Sequence, residues 1–178
     1  MIAAVSNDGF IADHNGDVAS WTTDEDKQFL SRKIQQAPLL IMGRKTYDTV
    51  KPQPSEGTLR VVLTSEPEQY TDEHVPDQLQ FERISPEQLV SKYRHYGNAL
   101  LLGGACVYEQ FLKADLVTEA YLNTMKNVQL KEGVPLLASG QSFESVANIR
   151  TITKNPQSTP ATLITRYTLG LPNQRNIA

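Results

Sequence analysis

The chain has 178 residues, 39% of them apolar and 21% charged, which suits one globular domain with its own hydrophobic core. A net charge of −3 argues against a nucleic-acid or anionic-membrane surface and leaves room for a local basic pocket for phosphates. One cysteine, Cys106, excludes an internal disulfide or a cysteine-built zinc site and fits a reducing cytoplasm. No apolar run approaches the roughly 20 residues that a membrane span needs.

In chain order, Ile2–Ser6 reads as a first strand, too short to be a signal peptide. Trp21-Thr22-Thr23-Asp24-Glu25-Asp26 then opens a helix over Asp24–Gln36. Thr22 with Glu25, or Thr23 with Asp26, makes a capping pair, and the acids suit the positive helix end. Asp26 shares a helix face with Phe29, Leu30, Lys33 and Ile34, whereas Asp24 falls with Gln28 and Ser31. Asp26 is therefore the acid expected to point inward, where an apolar setting raises a carboxyl pKa.

Leu39–Met42 is an unbroken apolar run, as expected for a strand covered on both faces. It stops at Gly43, and a short helix begins with Arg44, Lys45 and Thr46. A helix start with two cations and a hydroxyl is a candidate phosphate site, against the plainer reading of a strand–turn–helix with solvated basic residues. Leu59–Thr64 and Leu79–Arg83 are further strands, each preceded by a proline-containing, charged loop, Lys51–Gly57 and Glu66–Gln78 respectively. Ser85-Pro86-Glu87-Gln88 is a capping box opening a third helix.

Ala99–Leu102 repeats the earlier pattern: a buried strand runs into Gly103-Gly104 and then a fourth helix. Glycines there let backbone approach a ligand closely. Cys106, with no histidine near it in sequence, reads as a small packed residue. Thr118–Met125, Ile149–Thr153 and Thr162–Leu169 are the remaining strands, the last two forming an antiparallel hairpin. Residues 1–170 make one domain, and 171–178 read as a frayed, flexible tail. His14, His74 and His95 have no ligand spacing, so no metal is expected.

These motifs, in this order, resemble dihydrofolate reductase. Ala3–Ile11 is similar to its first strand and mobile loop, Trp21 with Asp26 to its tryptophan and catalytic acid, and Ile41–Thr46 to its most specific motif. Val61–Ser65 is similar to the strand and turn at the adenosine 2′-phosphate. Gly103–Leu112 resembles the family's glycine pair, where it has a cis peptide, and the helix under the cofactor; Ala120–Met125 resembles the next strand.

The resemblance implies a three-layer α/β fold: a central, mostly parallel sheet of about eight strands, a C-terminal antiparallel hairpin and about four helices. It implies NADPH bound by Ala4, Ile11, Gly43, Arg44, Lys45, Thr46, Leu63, Thr64, Ser65, Gly103, Gly104, Ala105, Cys106, Val107 and Tyr108. It implies a dihydropterin held by Val5, Asp26, Lys27, Leu30, Thr49, Val50, Arg60, Leu102 and Asn123. Asp26 would promote protonation, Trp21 would close the site and position water, and Ile11–Ser20 would be the lid of a monomer or homodimer.

Three departures bear on the substrate. The Ile11–Trp21 loop is longer than usual, and Asp8–Ala12 with Gly16-Asp17 is similar to the reductase domain of riboflavin biosynthesis. The arginine that grips the folate tail is expected near Thr58, where Arg60 or Lys27 would substitute. Asn123 stands where the family usually has a threonine bonded to the acid. The rival readings are therefore reduction of a phosphorylated ribosylaminopyrimidine and a non-catalytic nucleotide-binding domain.

Overall fold

The computed structural model describes residues 1–170; the expected tail lies outside the described residues. Ten strands form: β1 (Ile2–Ser6), β2 (Phe10–Asp13), β3 (Leu39–Gly43), β4 (Leu59–Leu63), β5 (Leu79–Glu82), β6 (Leu100–Gly103), β7 (Glu119–Met125), β8 (Gly133–Pro135), β9 (Ile149–Lys154) and β10 (Thr162–Leu169). Eight belong to two four-stranded ladders, β5-β4-β3-β6 and β1-β7-β10-β9. The two meet where β1 lies against β6. The first ladder is wholly parallel, β1 joins β7 in parallel, and β10 runs antiparallel to both β7 and β9.

The helices are α1 (Asp24–Gln35), α2 (Arg44–Val50), α3 (Pro86–Tyr93), α4 (Ala105–Lys113) and a single turn, α5 (Phe143–Val146). They cover both faces of the strands, which gives the three layers. One core packs Leu89 and Tyr93 of α3, Phe111 and Leu112 of α4 and Phe143 of α5 against Ala3, Ile41, Val61 and Leu122. A second packs Phe29 of α1 against Ile2, Leu40, Tyr121 and Ile164, and a third packs Tyr47 of α2 against Met42, Val62 and Leu79. Phe29 meets Tyr121 edge to face, with ring centroids 5.3 Å apart. The strands between these cores are apolar on both sides, which is why β3 reads as one continuous hydrophobic run.

Local chemistry sets the helix starts. Thr23 caps α1 by accepting from the Asp26 amide, and the Ser85–Gln88 capping box at α3 is complete in both directions. Four short elements escape the sequence patterns. Strands β2 and β8 pair as a short antiparallel ribbon, α5 is one turn, and a 3₁₀ segment (Pro67–Glu73) lies inside the expected loop. Each is too short to show a periodicity of its own.

Candidate active site

The parallel strands β3, β4, β5 and β6 all end on one edge, and a cavity of about 1050 Å³ opens there. This is the position where open α/β sheets bind ligands. Gly43, Arg44, Lys45, Thr46, Thr49, Leu63, Thr64 and Ser65 line one side, and Gly104, Ala105, Cys106 and Val107 the other. Ile11, Ala12, Gly16 and Val18 close it from the β2 side, and Gly133, Val134 and Pro135 join them from β8.

The glycines form a cradle that side chains would fill. A Cβ on Gly43 would come to 3.0 Å from Val107 Cγ2, and one on Gly104 to 3.2 Å from Thr46 Oγ1. Gly103 has φ +110° and joins Gly104 through a cis peptide bond. A Cβ on Gly103 would lie 2.9 Å from the Tyr108 hydroxyl. That hydroxyl is buried and donates to the Ile2 carbonyl at 2.5 Å, which ties α4 to β1. Burial, with the Asp26 charge adding to it, raises the Tyr108 pKa.

The candidate acid is enclosed: neither Asp26 nor its partner Asn123 lines this cavity or the smaller one along α1. Asp26 is 4% exposed, on the face of α1 that its periodicity predicts. Asn123 of β7 is fully buried, and its Nδ2 donates to Asp26 Oδ1 at 2.6 Å. No other side chain among the described residues bonds the carboxyl. Asn123 Oδ1 is itself enclosed without a protein partner. Burial raises the Asp26 pKa above its ordinary value, while the bond from Asn123 and the charge of Lys27 act the other way. A second, half-buried tie, Thr23 Oγ1 to Thr162 Oγ1 at 2.7 Å, holds the start of α1 on β10.

Along α1 from Asp26 runs a second cavity of about 430 Å³, lined by Lys27, Leu30, Ser31, Ile34, Gln35, Ser55, Thr58 and Arg60. It has an apolar floor and two cations, and no carboxylate lines it. Arg60 is only 9% exposed; Nη1 donates to Ser55 Oγ at 3.0 Å, and no ion pair reaches it among the described residues. Burial lowers its pKa, but a guanidinium remains charged at any physiological pH.

Several expected residues stand elsewhere. Val5 packs in the core with Leu122 and lines neither cavity. Leu102 packs between two core clusters, and neither it nor Ala4 lines a cavity. Gly103 and Tyr108 lie beneath the larger cavity rather than in its wall. Thr49 faces the larger cavity, not the smaller, because α2 turns it toward Lys45, whose carbonyl it bonds. Val50, at the helix end, is 54% exposed and outside both. Cys106 is exposed on the cavity side of α4, not packed, while Ala105 and Val107 point inward.

Trp21 lines neither cavity, and its Nε1 donates to the Asp17 carbonyl at 3.0 Å, so its N–H is engaged with the loop and not free for water. The loop itself is more ordered than a free lid. Residues 11–13 belong to β2, and Asp13 Oδ1 accepts from the Asn15 and Asp17 amides.

Missed by sequence reasoning were Asp48, Glu82, Arg83, Ile84, Ser85 and Gln88, all in the larger cavity's wall. The capping box that follows β5 was a third strand-end signal of the same kind as the two glycine turns. The expected pull of the α2 N-terminus is secondary, since α2 has only seven residues. The full charges of Arg44 and Lys45 dominate that corner.

The dihydrofolate reductase family model matches residues 1–165. The chain belongs to the dihydrofolate reductase family. Among solved structures it is similar to a protein assigned to riboflavin biosynthesis from Shewanella sp. PV-4, with 23% identity, TM-score 0.70, and coverage of 95% of this chain and 97% of that one. It is also similar to the diaminohydroxyphosphoribosylaminopyrimidine deaminase/5-amino-6-(5-phosphoribosylamino)uracil reductase of Thermotoga maritima, with 18% identity and TM-score 0.71. That match covers 95% of this chain and 55% of the other. A third neighbour is the dihydrofolate reductase of Enterococcus faecalis, solved with NADP(H) and RAB-propyl, with 16% identity, TM-score 0.65 and coverage of 94% of each chain. A search of curated proteins finds no match. At these identities the neighbours establish the fold alone.

Proposed function

We propose that this chain is an NADPH-dependent reductase that converts dihydrofolate to tetrahydrofolate. The observation that carries the reading is Asp26, a buried carboxyl on α1 with one oxygen held by Asn123 and no partner on the other among the described residues. The glycine cradle fits a dinucleotide, because the absent side chains leave backbone amides open to it. Arg44, Thr64 and Ser65 would hold the 2′-phosphate, and the start of α4 the pyrophosphate. When bound, NADPH supplies the hydride.

The chain's own residues do the rest. Asp26 Oδ2 is free to grip the amino group and ring nitrogen of a pterin. Its raised pKa keeps a proton on the carboxyl to higher pH, which promotes protonation at the pterin N5. Asn123 fixes the carboxyl's orientation. The β2–β8 ribbon, with Gly16 and Val18, roofs the larger cavity and excludes water. Leu30 would pack on the substrate, and Lys27 and Arg60 would take an anionic tail.

A specific observation supports the second reading, reduction of a phosphorylated ribosylaminopyrimidine. Thr58 stands where a folate-tail arginine is expected, and the buried, acid-free guanidinium of Arg60 suits a phosphate. NADPH oxidation followed with each substrate separates the two. Turnover of dihydrofolate is expected. Turnover of the pyrimidine alone would overturn the first reading in favour of the second, and binding of NADPH without turnover of either would leave a nucleotide-binding domain.

A further inference from the structure

The corner of the larger cavity beside β4 and β5 holds a charge arrangement that the proposed reaction does not use. Arg44 Nη1 donates to Asp48 Oδ2 at 2.8 Å, one turn along α2. Tyr70, from the 3₁₀ segment, donates to the same carboxylate at 3.1 and 3.2 Å. Tyr70 is set in place by stacking on Phe81, with centroids 4.5 Å apart and planes 11° from parallel. Asp48 therefore takes donors from two separate elements. The Tyr70 hydroxyl acting directly on the guanidinium, and next the bond to Asp48, raise the Arg44 pKa.

An i,i+4 ion pair is by itself an ordinary helix-surface contact. Its location makes this one different. Both Arg44 and Asp48 lie in the wall of the larger cavity, so the carboxylate faces the space that a phosphate on Arg44 would occupy. Arg83, in the same wall, is likewise paired, with Glu68 at 3.2 Å. Both arginines of this corner thus carry an acid before any ligand arrives.

We propose that Asp48 is a specificity-determining residue for the cofactor: it holds the Arg44 guanidinium in line while offsetting part of its charge, which narrows the margin by which the chain prefers NADPH over NADH. This rests on the reading that Arg44 meets the 2′-phosphate. Like charge across the cavity costs phosphate binding, and an unphosphorylated ribose pays no such cost.

Asp48→Asn separates the two effects, since the amide keeps an acceptor for Arg44 and Tyr70 at the same reach and removes the charge. Binding of NADPH and of NADH to the full chain is measured by nucleotide fluorescence, at low and high salt. The amide variant is expected to tighten NADPH by roughly three- to fivefold with NADH unchanged. The gain should shrink at high salt, where the charges are screened. Asp48→Ala, which also releases Arg44, should give less. An amide variant that weakens NADPH, or that shifts both nucleotides equally, overturns the proposal. Arg44→Ala is the control: an unchanged NADPH-to-NADH ratio there means the phosphate site itself is misplaced. A ratio that falls with Arg44→Ala and does not rise with Asp48→Asn sinks the Asp48 proposal alone.

Discussion

The larger cavity and the acid site are built by different means. The cavity is made from short contiguous segments at the ends of parallel strands: Gly43–Thr46, Leu63–Ser65 and Gly104–Val107. Each carries its ligand-facing residues within a few positions of a strand end. The acid site is made from pairs remote in sequence: Asp26 with Asn123, Thr23 with Thr162, and Lys27 with Arg60 across the smaller cavity. A strand-end site tolerates variation outside its own turn, whereas a site assembled across α1, β4, β7 and β10 depends on how four elements pack.

The sharpest test of that contrast is Asp26→Asn. It should cut dihydrofolate turnover by about 10²–10⁴-fold at neutral pH and leave NADPH binding unchanged, with the deficit shrinking as the pH falls and the substrate brings its own proton. Loss of both functions together would mean that the halves are one cooperative unit. Gly103→Ala probes the other side. At φ +110° an alanine carries about 1–3 kcal/mol of strain and meets the Tyr108 hydroxyl, so NADPH affinity should fall by roughly tenfold or more. Retained affinity, read by fluorescence titration, would remove the cradle from the cofactor site.

Arg60→Gln addresses the smaller cavity. Loss of a charge-assisted contact should raise the substrate KM by about tenfold with kcat unchanged. Thermal stability should hold or rise, because a buried cation without an acid is lost. A fall in Tm without a KM change would make Arg60 a packing residue.

The smallest effect is on stability against pH. The folded state holds the Asp26 proton above the carboxyl's ordinary pKa, so the folded chain binds more protons than the unfolded one across that window. This group's contribution therefore declines as pH rises from the ordinary value through the raised one. The Tm advantage of Asp26→Asn over the parent should appear at neutral pH and vanish at acid pH.

Some of the molecule was legible residue by residue. The alternation of apolar runs and helical patterns placed the eight main strands and four longer helices, and the capping box at Ser85 marked its helix start. The 3.6-residue period put Asp26 inward. Cys106, read as packed because no histidine is near it, instead lines the larger cavity, where the resemblance puts it, and Trp21, given its role by the resemblance, lines neither cavity. A residue on the second position of α4 has no periodic signal that distinguishes core from cavity, and nothing in the sequence shows that the Trp21 indole bonds a backbone four residues back.

Local chemistry in the chain was thus enough for the order of elements, the glycine turns and the helix face bearing the acid, because these depend on neighbours within about one or two helical turns. Only the tertiary structure brought Asn123 to Asp26, buried Arg60 without a counter-charge and set Asp48 with Tyr70 in the cavity wall. Those contacts join residues 97 and 22 positions apart or depend on which strand lies beside which, and burial, the quantity that sets their energetics, is a property of packing rather than of any short stretch of chain.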